Sequence, residues 1–299
     1  MAENFQVDKK GVRQSFDRAA KSYDAAAALQ REINNRMMER LQYIKLDPKT
    51  ILDLGSGTGY GTRALRAQYS RAHIVALDLA FGMLMSARVQ TPWWKRHLPV
   101  LQSRLDNYVC GDADRLPLKT SSVDMIWSNV TLQWCNDLNV TFAELYRVLA
   151  PEGLLMFSTF GPDTLKELRQ AFSGLDGHTH VNRFTDMHDI GDVLVHAGFS
   201  APVMDMEYIT LTYSDLMSLL KEIKAMGAQN VTMGRRHGMM GKSEWAQLQS
   251  LYEQFRREGR LPATFEVVYG HAWVNQKNLR TSDGSQIIQM PVQRKKGAL

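Results

Sequence analysis

The sequence has few cysteines and no long apolar run. Only Cys110 and Cys135 occur among 299 residues, which excludes a disulfide framework and a cysteine-rich zinc site. No segment approaches the roughly 18 apolar residues of a membrane-spanning helix. Residues 1–10 hold no apolar stretch typical of a signal peptide. We therefore expect a cytoplasmic protein that needs no membrane.

The charge is only mildly unbalanced. The formal net charge is +5 and the isoelectric point is about 9.1, which allows an acidic partner but is far from the charge of a dedicated nucleic-acid binder. Apolar residues make up 44% of the chain, enough for a full core. The length fits one α/β domain with insertions, so we predict a single domain over residues 1–299.

Residues 50–60 read T-I-L-D-L-G-S-G-T-G-Y. A short apolar run typical of a buried strand is followed at once by Gly55, Gly57 and Gly59, and then by helix-forming residues at 62–69. Glycines let the chain turn sharply and let a ligand approach bare backbone. The N–H groups that begin the helix suit a negatively charged group. The pattern predicts the opening of a nucleotide-binding βαβ unit.

The spacing of these glycines limits the class of ligand that the turn can bind. A dinucleotide site is typically G-x-G-x-x-G, whereas this run is G-x-G-x-G with Asp53 two residues before it. An acid there would repel a pyrophosphate but can receive the ammonium of an amino-acid ligand such as S-adenosylmethionine. Taken alone, the glycine run fits a purely structural turn equally well.

Two more acids strengthen the ligand hypothesis. Asp78 ends the apolar run 73–78, near the roughly 20-residue offset from the glycines at which a carboxylate binds ribose hydroxyls. Asp112 ends a third short run and can accept from an adenine amino group. A lone Asp is more often a turn residue or a helix cap, but three successive strand ends with suitable polar groups favour a binding site.

Strands and helices alternate as far as residue 160, which predicts a parallel, doubly wound α/β sheet. Two later strands, at 203–213 and 265–274, are separated by about fifty residues that contain two predicted helices. We interpret this separation as part of a cap over the crevice. The predicted parts are N-terminal helices at 8–46, a binding core at 50–160, and cap segments at about 161–186 and 214–262. Within these parts we predict helices at 12–23 and 25–44 and a fifth strand at 154–160. The apolar stripe of the second helix is interpreted as packing on the sheet.

The motifs I-L-D-L-G-S-G-T-G, A-L-D-L, G-D-A-D-R-L-P-L and D-M-I-W-S-N together resemble the class I S-adenosylmethionine-dependent methyltransferases. The resemblance implies a Rossmann-like, seven-stranded, mostly parallel sheet with helices on both faces. It implies S-adenosylmethionine as methyl donor, S-adenosylhomocysteine as product and no metal. The residues it places at the cofactor are Asp53, Gly55, Gly57, Gly59, Asp78, Leu79, Met83, Asp112, Ala113 and Asn129.

Further motifs narrow the resemblance. The segments F-D-R-A-A, S-Y-D, L-Q-W-C, N-R-F and I-K-A-M-G-A resemble the malonyl-carrier-protein O-methyltransferases of biotin synthesis, and less closely a mitochondrial respiratory-complex assembly factor. This implies methylation of the free carboxylate of a malonyl thioester, carried by acyl carrier protein or coenzyme A. With a carboxyl pKa of about 4, that carboxylate is already ionised at neutral pH and needs no general base.

We assign candidate roles at the substrate on this basis. Tyr23 and Gln133 are proposed as catalytic, neutral hydrogen-bond donors to the carboxylate, and Trp134 as a wall. Arg183 or Lys224 is proposed as a cationic grip. In the alternative, Tyr23 packs over the adenosyl group and Gln133 braces its own loop. Basic groups that suit an acidic carrier protein, or are simply solvated, are Lys95, Arg96, Arg235, Arg236, His237, Arg256, Arg257 and Arg260.

Two rival functions stay open at this stage. One is a class I methyltransferase with another small acceptor, and the other is a cofactor-binding assembly factor or hydroxylase that transfers no methyl group. The products discriminate between them, since only the malonyl hypothesis predicts a base-labile methyl ester. A nucleic-acid methyltransferase is disfavoured, because residues 128–131 read S-N-V-T instead of N-P-P-Y.

Overall fold

The computed structural model describes residues 6–275 except 91–106, 177, 229, 233, 236, 237 and 239. Within that part of the chain, helices and strands alternate along the core, and helices precede it and are inserted before the last strand. The helices are α1 (Lys9–Ala19), α2 (Tyr23–Ala26), α3 (Ala28–Leu41), α4 (Tyr60–Gln68), α5 (Phe81–Gln90), α6 (Leu138–Val148), α7 (Lys166–Ser173), α8 (Met187–His196), α9 (Leu216–Ala225) and α10 (Lys242–Glu253). The strands are β1 (Thr50–Leu54), β2 (His73–Asp78), β3 (Asn107–Cys110), β4 (Val123–Asn129), β5 (Leu149–Phe160), β6 (Phe199–Tyr213) and β7 (Leu261–Val274).

The strands form one seven-stranded sheet in the order β3-β2-β1-β4-β5-β7-β6. Strands β1 to β5 pair in parallel, whereas β7 lies antiparallel between β5 and β6. The predicted seven-stranded, mostly parallel sheet is therefore confirmed. The strand order reverses between β1 and β4, and a crevice outside the carboxyl ends of parallel strands opens at such a point.

Apolar residues cover both faces of the sheet. On one face α3, α4, α7, α9 and α10 pack, with Met37 and Tyr252 fully buried. On the other face α6 and α8 pack, with Phe142 and Leu194 fully buried. Burial on both sides explains why the central strands read as unbroken apolar runs.

The N-terminal helices differ in their bounds from the pattern in the sequence, which predicts 12–23 and 25–44. Helix α1 ends at Ala19, because both the backbone N–H and the hydroxyl of Ser22 donate to the Ala19 carbonyl, at 2.8 and 3.2 Å. A hydroxyl that bonds a nearby carbonyl competes with helix continuation. Tyr23 consequently begins α2 instead of ending α1.

Two predictions around the sheet need correction. Strand β3 ends at Cys110, so Asp112 lies in the turn beyond the strand and does not end it. Strand β5 begins at Leu149, five residues before the predicted 154, because Leu149 pairs with Val123 across a register shift.

Candidate functional site

The glycine turn after β1 adopts a conformation that side chains disfavour. Gly55, Gly57 and Gly59 have φ of +72°, +53° and +81°, in the left-handed region where glycine is at no disadvantage. The N–H groups of Gly55 and Ser56 both donate to the Leu77 carbonyl, at 2.7 and 3.0 Å. The turn is thereby fixed to the end of β2.

Asp53 lies behind this turn. It is 2% exposed, and its carboxylate accepts a hydrogen bond from the Thr62 hydroxyl at 2.5 Å. It does not line the cleft described next. In the structure Asp53 joins β1 to the first turns of α4, and its predicted contact with an ammonium stays a prediction.

A cleft of about 690 Å³ opens at the carboxyl ends of β1, β2 and β4. It brings together eight of the ten predicted cofactor residues, all except Asp53 and Gly59. The lining residues are Lys9, Val12, Phe16, Tyr23, Leu54, Gly55, Gly57, Leu77, Asp78, Leu79, Met83, Gly111, Asp112, Ala113, Asn129, Val130, Thr131, Trp134 and Cys135.

Asp78 is held at the centre of the cleft by backbone donors. Its carboxylate accepts from the Gly57 N–H at 2.9 Å and from the Ala80 N–H at 2.7 Å. Burial raises the pKa of Asp78 to about 6; these two hydrogen bonds oppose the rise, and the nearby Asp17 carboxylate adds to it. The group is thus mostly ionised at pH 7 and becomes neutral as the pH falls below 6.

Lys9 is a cleft residue that the sequence pattern did not identify. Its ammonium pairs with Asp112 at 2.6 Å and also with Asp114, so α1 is fixed across the turn that follows β3. The Gly82 N–H donates to Asp17 of α1 at 2.7 Å. Helix α1 therefore closes one side of the cleft. No local motif marks Lys9, because its partners lie about a hundred residues away.

Tyr23 lies over the glycine turn. The next residue, Asp24, accepts hydrogen bonds from the Thr58 hydroxyl and, at 2.7 Å, from the Gln90 amide. This anchor places the ring next to Gly57, where an added Cβ would lie 3.9 Å from it. Burial and then the carboxylates of Asp78 and Asp24 raise the pKa of Tyr23. Its hydroxyl accordingly stays protonated, and a donor, at any physiological pH.

A second chamber of about 590 Å³ adjoins the cleft. Phe16, Tyr23, Val130 and Trp134 line both spaces and form their common wall. The Phe16 ring packs edge-on against Trp134, with centroids 5.4 Å apart. The remaining lining residues are Gln30, Gln133, Phe160, Thr164, Leu165, Asn182, Phe184, Ile223, Met226, Ala228 and Phe265.

The polar groups of this chamber are neutral. Gln133 donates to the Val130 carbonyl at 2.6 Å and accepts from the Thr159 hydroxyl at 3.3 Å. Both the nitrogen and the oxygen of its side-chain amide are therefore already hydrogen-bonded. In contrast, Gln30 Oε1 and Asn182 Oδ1 are buried and have no hydrogen-bond partner among the residues that the structure describes. Buried polar atoms normally have a partner, so these two amides are suited to a polar ligand.

The sequence pattern did not identify Gln30 as a residue of the site. It stands beside the apolar stripe of α3, which the pattern interprets as packing alone. Its only hydrogen bond from the amide nitrogen is a weak one, 3.2 Å to the Met226 sulfur. Rotating this amide by half a turn would present N–H donors to the chamber at little cost.

The two candidate cations lie outside the chamber. Arg183 lines a cavity beyond Gln133 and Phe160, and Lys224 lines another beyond Asn182. Neither side chain is among the chamber residues, so their predicted grip on a carboxylate has no direct support from this arrangement and stays a prediction.

The predicted basic patches are only partly described. Lys95, Arg96, Arg236 and His237 lie outside the described residues. Arg256 pairs with Glu253 at 2.6 Å, Arg260 donates to the Thr212 carbonyl at 2.6 Å, and Arg235 donates to the Thr232 carbonyl at 3.0 Å. These three are engaged in local bonds, and their role in docking a carrier protein stays a prediction.

The cleft fits a ligand with an amino-acid end and a nucleoside end. A tight glycine turn leaves bare backbone at one side, where Gly55 and Gly57 line the cleft. Two carboxylates, Asp78 and Asp112, stand farther along the same lining. Among the described residues there is no group of three or more His, Cys, Asp or Glu side chains that could hold a metal. No helix in that part of the chain is long and apolar enough to span a membrane.

Solved structures of low sequence identity share this fold. The YcgJ protein of Bacillus subtilis superposes with a TM-score of 0.56 at 12% identity, covering 80% of this chain and 98% of that one. A putative methyltransferase of Bacillus halodurans C-125 gives 0.56 at 17% identity, covering 81% and 99%. Residues 52–157 match the methyltransferase domain family.

The sequence relatives are more specific. A malonyl-acyl carrier protein O-methyltransferase of Gallionella capsiferriformans (strain ES-2) is 56% identical over 290 residues, which is 95% of this chain and 97% of the relative. The enzyme of the same name in Methylovorus sp. (strain MP688) is 52% identical, covering 96% of each chain. The chain belongs to the malonyl-acyl carrier protein O-methyltransferase family, which confirms the resemblance stated from the sequence.

Proposed function

We propose that this protein transfers the methyl group of S-adenosylmethionine to the free carboxylate of a malonyl thioester, giving the methyl ester and S-adenosylhomocysteine. The observation that carries the proposal is the pair of adjoining spaces with a common wall of Phe16, Tyr23, Val130 and Trp134. A donor in the cleft and an acceptor in the chamber would meet at this wall. The names of relatives at 52–56% identity support the same substrate.

The cleft supplies the groups that would hold the donor. The glycine turn receives its methionine end, Asp78 accepts from the ribose hydroxyls, and Asp112 accepts from the adenine amino group. Leu79, Met83 and Ala113 pack against the nucleoside, and Asn129 stands beside the reacting end. When bound, the sulfonium supplies an electrophilic methyl carbon and a sulfur that leaves as a neutral thioether.

The chamber supplies alignment without a base. A lone pair of the carboxylate oxygen forms the new O–C bond, so no proton has to be removed from the acceptor. Tyr23 donates to one carboxylate oxygen and leaves the other free, and the Gln30 amide is a second donor. Neutral donors orient the oxygen while leaving it nucleophilic. In-line positioning of this kind contributes roughly 7–11 kcal/mol, and the aromatic wall excludes water that would weaken the attraction of carboxylate to sulfonium.

The acceptor's carrier is proposed to be an acyl carrier protein, with coenzyme A as the alternative. The relatives' printed names contain the carrier protein, and a net charge of +5 suits an acidic partner. A methyl ester would neutralise the distal carboxylate of the malonyl group. The enzymes of fatty-acid synthesis could then elongate the esterified diacid as a precursor of biotin.

The proposal is tested with labelled S-adenosylmethionine and three acyl carrier proteins bearing malonyl, succinyl or acetyl groups. We expect a base-labile methyl ester from the malonyl form. Succinyl should react about 10- to 200-fold more slowly, the effect of one extra methylene, and acetyl should be rejected by about 10⁴-fold or more because it lacks the reacting oxygen. Cofactor binding without label transfer to malonyl would overturn the proposal and favour the non-methylating assembly factor, whereas label on a different acceptor would favour another methyltransferase.

The binding of S-adenosylhomocysteine should weaken as the pH falls through 6. Ribose hydroxyls donate much more strongly to an ionised carboxylate than to a neutral carboxyl group, and the pKa of Asp78 is about 6. If only the ionised form binds, affinity at pH 5 is roughly tenfold lower than at pH 7. The folding stability of the free protein should change with pH in the opposite direction. Because the pKa of Asp78 is higher in the folded than in the unfolded state, the free energy of unfolding rises as the pH falls from about 6 toward 4. Calorimetric titration between pH 5 and 8 measures the first effect.

Asp78→Asn is the control for this profile. Its affinity should be lower at pH 7 and nearly constant from pH 5 to 8, because no group at that position titrates. A profile in Asp78→Asn as steep as that of the native protein would assign the pH dependence to another residue.

A further inference from the structure

A third cavity, of about 760 Å³, lies between the two cap segments. All its lining residues come from those segments, and none comes from the sheet or from the glycine turn. They are Leu165, Leu168, Phe172, His180, Val181, Asn182, Phe184, Leu220, Ile223, Lys224, Ala228 and Asn230. The cavity is therefore built by the parts of the chain inserted around the methyltransferase core.

This cavity continues from the substrate chamber. Leu165, Asn182, Phe184, Ile223 and Ala228 line both spaces. A chain-like molecule whose tip reaches the wall at Tyr23 can thus extend from the chamber into the space between the cap segments.

The third cavity is lined by both apolar and polar side chains. Leu168 and Phe172 are buried, at 3% and 9% exposure. Asn182, 7% exposed, lies on the boundary between the two spaces, and its buried side-chain oxygen has no hydrogen-bond partner among the described residues. Lys224 is exposed in the last turn of α9 and forms no ion pair with any described residue. The cavity thus offers an apolar surface, one amide oxygen and one ammonium that the described residues leave unpaired.

The cavity beside Arg183 is a less suitable exit. The N-terminal segment crosses it, because Val7 exchanges two hydrogen bonds with the Asn136 side chain, at 2.7 and 3.0 Å. Gln6 and Val7 also belong to its lining.

We propose that this third cavity binds the phosphopantetheine arm of the thioester substrate, with Lys224 at its phosphate. The arm fits these features: methyl and methylene groups lie against Leu168 and Phe172, an amide N–H of the arm donates to Asn182 Oδ1, and the phosphate meets the Lys224 ammonium. The inference rests on the proposed function and adds the route of the substrate. It also moves Lys224 from the malonyl carboxylate to the opposite end of the acceptor.

The first test compares malonyl-4′-phosphopantetheine with malonyl-pantetheine, which lacks the phosphate. The native protein should favour the phosphorylated substrate in kcat/KM by about five- to tenfold, as expected for one partly exposed charge pair. In Lys224→Ala this ratio should fall close to one. Lys221→Ala, on the same helix but outside the cavity, is the matched control and should keep the native ratio. An unchanged ratio in Lys224→Ala would overturn the assignment of Lys224.

The second test blocks the passage. Leu220 lines the third cavity but not the chamber, so Leu220→Trp should narrow the path of the arm and spare the methyl-transfer wall. The ratio of kcat/KM for the short malonyl-N-acetylcysteamine thioester over malonyl-pantetheine should rise at least about tenfold. A ratio equal to the native one would overturn the proposed route. S-adenosylhomocysteine affinity reports whether the variant is folded, and the Lys224 test stands independently if it is not.

The same phosphate is present in both full substrates. Malonyl-CoA and malonylated acyl carrier protein both present it, and Lys224→Ala should lower kcat/KM for both. If the native protein methylates no malonyl thioester at all, the proposed function and this inference fail together. If it forms the ester with neither ratio altered in the variants, only the inference fails.

Discussion

Gly55→Ala is expected to weaken S-adenosylhomocysteine binding by about 100-fold or more, through a steric conflict added to an unfavourable φ. A Cβ at Gly55 would lie 2.0 Å from the Thr131 hydroxyl and 2.6 Å from its methyl group. Thr131 cannot withdraw freely, since its hydroxyl donates to the Leu54 carbonyl at 3.2 Å. The turn must therefore shift, and it carries both the methionine end of the site and the N–H that holds Asp78. Calorimetric titration measures the loss.

Gly259→Ala separates the two causes. Gly259 has φ of +75°, close to that of Gly55, but an added Cβ there would have no atom within 4 Å. Gly259→Ala should lower the free energy of unfolding by only about 1 kcal/mol, through backbone strain, and it should leave cofactor affinity unchanged. Equal effects of the two variants on affinity would contradict the steric explanation and point to a general loss of folding, which thermal unfolding of both would reveal.

Tyr23→Phe should have the second largest effect. A hydrogen bond to a charged group contributes about 1.5–3 kcal/mol, so kcat for methyl transfer should fall roughly 10- to 150-fold. S-adenosylhomocysteine affinity should stay within about twofold, because phenylalanine keeps the ring that packs beside Gly57. Single-turnover rates with malonyl carrier protein and equilibrium titration measure the two quantities separately.

The same experiment decides between the two interpretations of Tyr23. If the ring only packs over the adenosyl group, Tyr23→Phe retains full kcat, and the catalytic role is wrong. Tyr43→Phe is the matched control, because Tyr43 is 90% exposed and should change neither quantity. Failure of the control would show that the assay responds to folding and not to the site.

Much of the fold and of the cleft could be predicted from short stretches of sequence. The run from Thr50 to Tyr60 encodes strand, turn and helix within eleven residues, and parallel strands bring their carboxyl ends to one edge wherever the intervening helices lie. Asp78 and Asp112 could be assigned to this edge because Asp78 ends β2 and Asp112 follows β3. Asp53 was harder to place, since its position in the motif does not say which face of β1 it occupies.

Predictions from short stretches of sequence were less accurate where single pairings or side-chain hydrogen bonds determine where a helix or strand begins or ends. Helix α1 ends at Ala19, four residues before Tyr23, because Ser22 bonds the Ala19 carbonyl. The pairing of Leu149 with Val123 extends β5 backwards past Pro151. Such bonds depend on contacts that periodicity does not encode.

The sequence by itself determined the class of fold, the family and most of the residues that line the cleft, because each depends on motifs whose residues are neighbours along the chain. Only the tertiary structure decided which residues line the chamber and the third cavity. Lys9 meets Asp112, Gln30 meets Met226, and the cap segments enclose a passage from Tyr23 to Lys224. These contacts join residues separated by a hundred or more positions, and the packing of the whole chain, not any local pattern, brings them together.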